Sequence, residues 1–307
     1  MLNSNLTLML PEGGKAAIVP IECLGRIQRD LDTLQKGAQY SSLIDTIVHV
    51  FYDFNVRDEA FSPRSIVIVA VPKPIVRIRF QWGGREYSGY TDGWKGDALA
   101  ADAVYTALRD RFRQEGRHVA RYEALPQKQL AVRSGLAEYG RNNLAYVRGM
   151  GCFLQIMTLL TDMPCDTGPG MEIRRMDACE HCGACAKACP TQAIDDARTV
   201  IRAERCLTYY NEFIDLAPFP DWISTSAHHS LHGCMRCQLN CPQNARYLNN
   251  AMEPVFLTET DVALLLDGPA LCDLPDHLAE KIRTLHLEDY LPLLPRNITA
   301  IVQAQNL

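Results

Sequence analysis

The sequence has no apolar run of the roughly 18 residues that a membrane-spanning helix needs. Its first residues, MLNSNLTLMLPEGGKAAIVP, have neither the basic flank nor the long apolar core of a signal peptide. Periodic repeats and low-complexity tracts are missing too, which excludes a solenoid and an extended biased linker. Positive charge is in short supply: 31 Lys and Arg stand against 36 Asp and Glu, a net charge of −5. The shortage is greatest in residues 251–307, where nine acids face three Lys/Arg, or −6 for 57 residues. Such a surface repels phosphate backbones. What remains is ordinary: 47% hydrophobic and 22% charged residues in a chain of 307, enough for one large or two modest soluble domains. The expected setting is a reducing cytoplasm.

Cysteine, by contrast, is abundant. In a reducing compartment twelve cysteines read as metal ligands or reactive thiols rather than disulfides. Eight of them fall between Cys179 and Cys241, so the enrichment is local.

Along the chain, the β-branched run SIVIVAVP (65–72) predicts a buried strand. Residues 76–90 alternate Val76, Ile78, Phe80 and Trp82 against Arg77, Arg79 and Gln81 and turn at Gly83-Gly84, predicting a hairpin. Residues 95–115 have helical periodicity ending at Gly116, and a second helix is expected from Pro126. Further strands are expected near Asn143–Val147 and Phe153–Thr161. DMPCDTGPG (162–170) reads as a turn-rich boundary. After the cysteine-rich segment, helices are expected from Thr258 to Gly268, from Pro275 to Leu285, and after Pro295. The division is then 1–170, 171–250 and 251–307, the last a short helical tail.

The first cysteine motif is complete: Cys179-x2-Cys182-x2-Cys185-x3-Cys189-Pro190. Thiolates at three-residue spacing wrap one face of a 4Fe–4S cubane, and in two-cluster ferredoxins the fourth cysteine of such a run ligates the other cluster. The second motif, HGCMRCQLNCPQN, lacks its first cysteine; Leu231 holds that place. On the ferredoxin pattern Cys179, Cys182 and Cys185 take Cys241 as fourth ligand, which leaves Cys189, Cys234 and Cys237 one short. Cys206, 17 residues past Cys189 and 28 before Cys234, is the leading candidate. Cys165, Cys272 and His232 are weaker ones. Zinc sites pair two knuckles across a longer loop, a poor fit to four cysteines within eleven residues. Cys23, Cys165 and Cys272 read as packed thiols, whereas Cys152 stands in a glycine-bounded turn, YVRGMGCFLQ.

The complete run, the lone cysteine in RCLTYY and the run GCMRCQLNCPQN together resemble the epoxyqueuosine reductase family, with the reductive dehalogenases as more distant kin. The block LAVRSGLAEYGRNNLAYVRGMGCFLQIMTLLTD (130–162) is similar to the family's A-x-R-A-G-L-G block, and the resemblance covers about residues 60–250. It implies an α/β, nitroreductase-like domain holding base-off cobalamin, followed by a bacterial ferredoxin-like module with two 4Fe–4S clusters. By residue matching, Arg141, Asn142, Asn143, Tyr146, Gly149, Gly151 and Cys152 would line the corrinoid. An external low-potential donor of ferredoxin or flavodoxin type would supply the electrons.

Two departures bear on the substrate. The family's proton-donating aspartate aligns with Arg121, leaving Glu123 or Tyr122 as substitutes. The family's helical repeat domain and basic surface are replaced by the acidic tail. The reading placed first is therefore an oxidoreductase, dependent on cobalamin and 4Fe–4S clusters, with a small-molecule or protein-bound substrate and not tRNA. The alternatives are an electron-transfer protein reducing a partner's corrinoid or flavin, and epoxyqueuosine reduction on tRNA itself.

Overall fold

The structure, a computed structural model, describes all residues except 1–9, 11–12, 38–40, 93–97, 166–171, 196–199, 214–217 and 250. The chain divides into two units interleaved in sequence. One comprises the described residues of Met1–Lys73, Asp97–Gly183 and Asp196–Ala203; the other those of Pro74–Gly96, Ala184–Asp195 and Glu204–Leu307.

The first unit is built on an antiparallel sheet in the order β1 (Lys15–Pro20), β2 (Ser65–Pro72), β8 (Leu154–Thr161), β5 (Val119–Arg121). The run of apolar residues in β2 serves both faces. Ile66, Ile68 and Ala70 pack with Cys23, Leu24, Ile27 and Leu31 of helix α1 (Cys23–Lys36), Val48 of α2 (Ser42–Phe51) and Leu130 of α4 (Gln127–Arg133). Val67, Val69 and Val71 pack with Ala101, Val104, Leu108 and Phe112 of α3 (Ala98–Gln114). A strand apolar on both sides needs a cover on each, and each fully buried Val or Ile contributes about 2 kcal/mol. Residues 15–51, unassigned from the sequence, supply one edge strand and part of one cover. Gly116 takes φ +67 after α3, as its expected place past a helix end requires.

The second unit has a mixed sheet in the order β10 (Val255–Leu257), β3 (Val76–Trp82), β4 (Arg85–Thr91), β9 (Ser230–His232). The hairpin expected from the alternation is present, but it sits in this unit and not with the strands around it in sequence. The alternation gives the reason: only Val76, Ile78 and Phe80 face inward, while Arg77, Arg79 and Gln81 are exposed. Such a sheet needs one apolar cover. The cover consists of Val262 and Leu265 of α8 (Glu259–Leu266), Leu278 and Ile282 of α9 (Asp276–Thr284), and Leu294, Ile298 and Ile301 of α10 (Leu294–Gln305). Gln305 binds the backbone of β4: its amide donates to Ser88 O at 2.6 Å and accepts from Ser88 N at 3.3 Å.

Thr258 caps α8 in a capping box with Asp261. The buried Asp261 carboxylate also accepts from Lys281 Nζ at 2.7 Å and contacts His277 Nε2 at 2.9 Å. Desolvation alone would push its pKa up, but the Lys281, Thr258 and His277 contacts outweigh that and hold it below the ordinary value. The stabilisation is therefore complete above about pH 4 and lost as pH falls through the folded value. Asp261→Ala is expected to cost roughly 2–3 kcal/mol at pH 7, between the values of a lost cap and a broken buried pair, and less at pH 3. Urea unfolding at the two pH values checks this.

Candidate metal centre

Cys179 and Cys182 belong to the first unit. Tyr139, in the short strand β6 (Glu138–Tyr139), accepts Met176 N at 3.0 Å and donates to Arg174 O at 2.9 Å, so residues 174–176 run beside it. The chain then turns through a 3-10 helix at Asp177–Cys179. Arg141 grips this turn: Nη2 donates to Cys179 O at 2.7 Å and to Glu180 O at 2.9 Å, and Nε reaches Cys179 O at 3.3 Å. A guanidinium that spans two carbonyls holds the loop in one conformation. Arg141 thus reaches the first cysteine loop.

The other expected corrinoid residues divide into two groups. Asn142 is buried and donates from Nδ2 to the hydroxyl of the buried Tyr146 at 3.1 Å, while its Oδ1 accepts Leu144 N at 3.3 Å. Cys152 is buried as well, and Asn143 adopts φ +61 in the turn. Val147 and Gly151 exchange backbone hydrogen bonds at 2.9 and 3.1 Å, closing a tight turn. Its tip, Gly149, is exposed at φ +97, with no atom within 4 Å of where a Cβ would stand. Arg148 and Gly149, at the turn tip, are the exposed part of residues 141–152.

Residues 121–123 leave β5 tied down. Arg121 pairs with Asp102 at 2.7 Å and with Glu123 at 2.8 Å. The Tyr122 hydroxyl donates to Asp53, and this bond raises the Tyr122 pKa to about 12. Asp53 N in turn donates to Ala124 O at 2.7 Å. Asp53 carried no signal in the sequence, because it lies 69 residues from Tyr122.

The remaining six cysteines lie in the second unit. Cys185 is on the short helix α5 (Ala184–Ala188), which packs against α7 (Arg236–Leu239), the bearer of Cys237. Cys189 Sγ accepts Ala193 N at 3.2 Å. Cys206 precedes α6 (Leu207–Glu212) and receives hydrogen bonds from Thr208; Cys234 receives the amide of Arg236. Amides aimed at sulfur are what a cluster-bound thiolate requires. Three of the sulfurs stand within electrostatic reach: Cys189 acts on Cys206, and both act on Cys234. Desolvation first, and then the charges of Cys206 and Cys189, push the Cys234 thiol up to about 12; Cys206 is raised by desolvation and by Cys189. Grouped, half-buried thiols of this kind become thiolates when a cationic metal core stands between them. Among the described residues no three His, Cys, Asp or Glu side chains converge closely enough for a single ion. A cubane separates its thiolates further than one ion does.

Cys241 heads the 3-10 turn Pro242–Tyr247, and its amide donates to Gln238 O at 3.2 Å. Gly233, ahead of Cys234, needs φ +70, and a Cβ there would stand 2.8 Å from Asp92 Cβ. Leu231, the residue in the place of the missing cysteine, is fully buried in β9 among the core residues Ile78, Tyr87, Ile298 and Ile301. Cys23, 0% exposed, packs in the first unit's core, Cys165 Sγ approaches Ile18 O at 3.7 Å, and Cys272 is exposed. His232 Nδ1 lies 2.9 Å from Asp92 O, and its ring packs at a tilt against Tyr290, centroids 4.0 Å apart.

The family described as a 4Fe-4S double cluster binding domain matches residues 178–244. The epoxyqueuosine reductase of Salmonella typhimurium is 30% identical over 159 residues, 48% of this chain and 40% of that protein. The Escherichia coli enzyme is 33% identical over 130 residues, 42% and 32% respectively. The matched regions thus span two fifths or less of these curated relatives. Among solved structures, epoxyqueuosine reductase from Streptococcus thermophilus superposes with a TM-score of 0.62 at 15% identity, over 99% of this chain and 78% of that one. The Bacillus subtilis enzyme, with its catalytic aspartate loop swung out of the active site, gives 0.61 at 18%, over 98% and 79%. These likenesses show a shared mixed α/β fold. Residues 178–244 thus match a 4Fe-4S double cluster binding domain, and the chain is similar in sequence and in fold to epoxyqueuosine reductases.

Proposed function

We propose that this chain is an iron–sulfur and cobalamin-dependent reductase that acts on epoxyqueuosine in tRNA. The observation that carries the reading is the similarity at 30–33% identity to epoxyqueuosine reductases, joined to a match of residues 178–244 to the double-cluster domain. The non-tRNA substrate, placed first on the missing aspartate and the tail charge, is the weaker reading. The acidic tail forms the helices over one face of the second unit's sheet, while the outer face of β3 presents Arg77 and Arg79. Tail charge therefore does not describe the whole surface.

In this reading Cys179, Cys182, Cys185 and Cys241 hold one 4Fe–4S cluster, and Cys189, Cys206, Cys234 and Cys237 the other. The fold is a nitroreductase-like domain with a ferredoxin-like module, and the turn at Val147–Gly151 is where that domain would hold the corrinoid. Bound cobalamin supplies a strongly reducing cobalt in a water-poor site. Opening and removing the epoxide oxygen takes two electrons and two protons and releases water; a ferredoxin- or flavodoxin-type donor provides the electrons. The 121–123 loop provides one proton and solvent the other. Glu123 is engaged by Arg121 at 2.8 Å. Tyr122 keeps its proton through the working range and, on leaving Asp53, can donate it to the substrate oxygen.

Anaerobically purified protein should carry iron and labile sulfide, give a base-off Co(II) EPR signal with added cobalamin, and convert an epoxyqueuosine-bearing tRNA stem-loop to queuosine with a strong reductant. Iron without corrinoid affinity would leave the electron-transfer protein. A bound, reducible corrinoid with no conversion of the stem-loop would return the substrate to the small-molecule class.

A further inference from the structure

Cys206 and Cys234 are separated by 28 residues, and the described chain between them has little regular structure: α6, a 3-10 turn at Thr225–Ala227 and the short strand β9. Two thiolates on one cluster must nevertheless be held at a set separation. The contacts that do this come from the far end of the chain. Asn297, 1% exposed on α10, donates from Nδ2 to Asn211 O at 3.0 Å and to Leu231 O at 2.7 Å. Asn211 lies five residues past Cys206 and Leu231 three before Cys234, so one amide bridges the two cysteine-bearing segments. Asn211, equally buried, repeats the bridge by donating from Nδ2 to Gly233 O at 2.6 Å, next to Cys234.

The amide of Asn297 is oriented. Arg296 Nε donates to its Oδ1 at 3.0 Å, which leaves both hydrogens of Nδ2 facing the two carbonyls. Arg296 is itself anchored, with Nη2 on Tyr210 O at 2.6 Å and its guanidinium 4.2 Å above the Phe219 ring. A third buried asparagine, Asn244, donates to Gln238 O at 2.9 Å and fixes the loop after Cys237. Carbonyls in dry surroundings seldom go without donors, so each bridge is costly to remove. Leu231 O also matters because its side chain is locked in the core: the bridge ties the loop of Cys234 to the packed sheet.

We infer that Asn297 is a positioning residue for the cluster held by Cys206 and Cys234, and that the C-terminal helix is in this way part of the metal centre. The inference rests on the ligand set Cys189, Cys206, Cys234 and Cys237 given above. Asn297 touches no ligand sulfur; it acts through Asn211 and Leu231.

The test is anaerobic purification of the full chain and its variants, with iron and labile-sulfide analysis and an EPR redox titration. Asn297→Asp keeps the size of the side chain but points acceptors at two carbonyls. It should reduce iron from about eight to about four per chain, with one cluster's signal lost and the other's midpoint unchanged. Asn297→Ser keeps one donor and should assemble both clusters with the midpoint of one displaced. If Asn297→Asp yields no folded protein by circular dichroism, Asn297→Ser decides alone. Full iron with both midpoints as in the parent, or equal loss of both clusters, overturns the inference. Cys206→Ala is the control for the underlying reading: if it keeps all its iron, the ligand set fails and not merely the role of Asn297.

Discussion

Cys206→Ala is expected to halve the iron content, from about eight to about four per chain, and adding Leu231→Cys should not restore it. In a simple ferredoxin run the residue three before Cys234 would be the natural fourth ligand, so a new cysteine there ought to rescue the loss. The structure gives the reason it should not. Leu231 is fully buried in β9, and its side chain packs with Ile78, Tyr87, Ile298 and Ile301. A thiol in its place would face the hydrocarbon interior and leave a void, at a cost of about 2–3 kcal/mol in stability. Cys206, by contrast, lies within electrostatic reach of Cys189 and Cys234. Iron and sulfide analysis of the single and double variants is sufficient. Recovery of full iron in the double variant would place the cluster on the Leu231 side of the loop and sink the assignment to Cys206.

Asp30→Ala is expected to destabilise the protein by about 3 kcal/mol, whereas Arg133→Met should cost under about 1.5 kcal/mol or even stabilise it. Arg133 is only 2% exposed, and its Nη2 pairs with Asp30, which is partly open to solvent. Its Nε is buried without a hydrogen-bond partner among the described residues. The asymmetry follows from desolvation. Removing Asp30 leaves a buried guanidinium with its charge uncompensated; replacing Arg133 by an apolar side chain of nearly its length removes the buried charge and leaves Asp30 to water. Urea unfolding of the two variants at pH 7 distinguishes the cases. Equal losses would mean that the guanidinium is stabilised chiefly by neighbours other than Asp30.

Much of the fold was legible along the chain. The strand at 65–72, the hairpin at 76–91, the helix ending before Gly116 and the capped helix after Thr258 all stand where periodicity and turn residues put them. Those signals are local, carried within a few residues by alternation, branching and glycine placement. The first helix was missed although Cys23, Leu24, Ile27 and Leu31 lie on one face of it. Which sheet receives the hairpin was not legible, since a one-faced amphipathic hairpin fits any apolar cover.

The metal chemistry is written along the chain: eight cysteines at cluster spacing, a complete run and an incomplete one, and a lone cysteine between them. Spacing along a chain is enough for that, because neighbouring thiolates on one turn have little choice of where to point. Only the tertiary structure decided the rest. It made Leu231 a core residue, set Arg141 on the Cys179 loop, joined Tyr122 to Asp53, and brought Asn297 from the last helix between the segments of Cys206 and Cys234. Each of these contacts except Leu231's burial joins residues 38 to 86 apart in sequence. Such pairings carry no periodic signature, because they are chosen by which buried carbonyls and charges need partners once the sheets have closed.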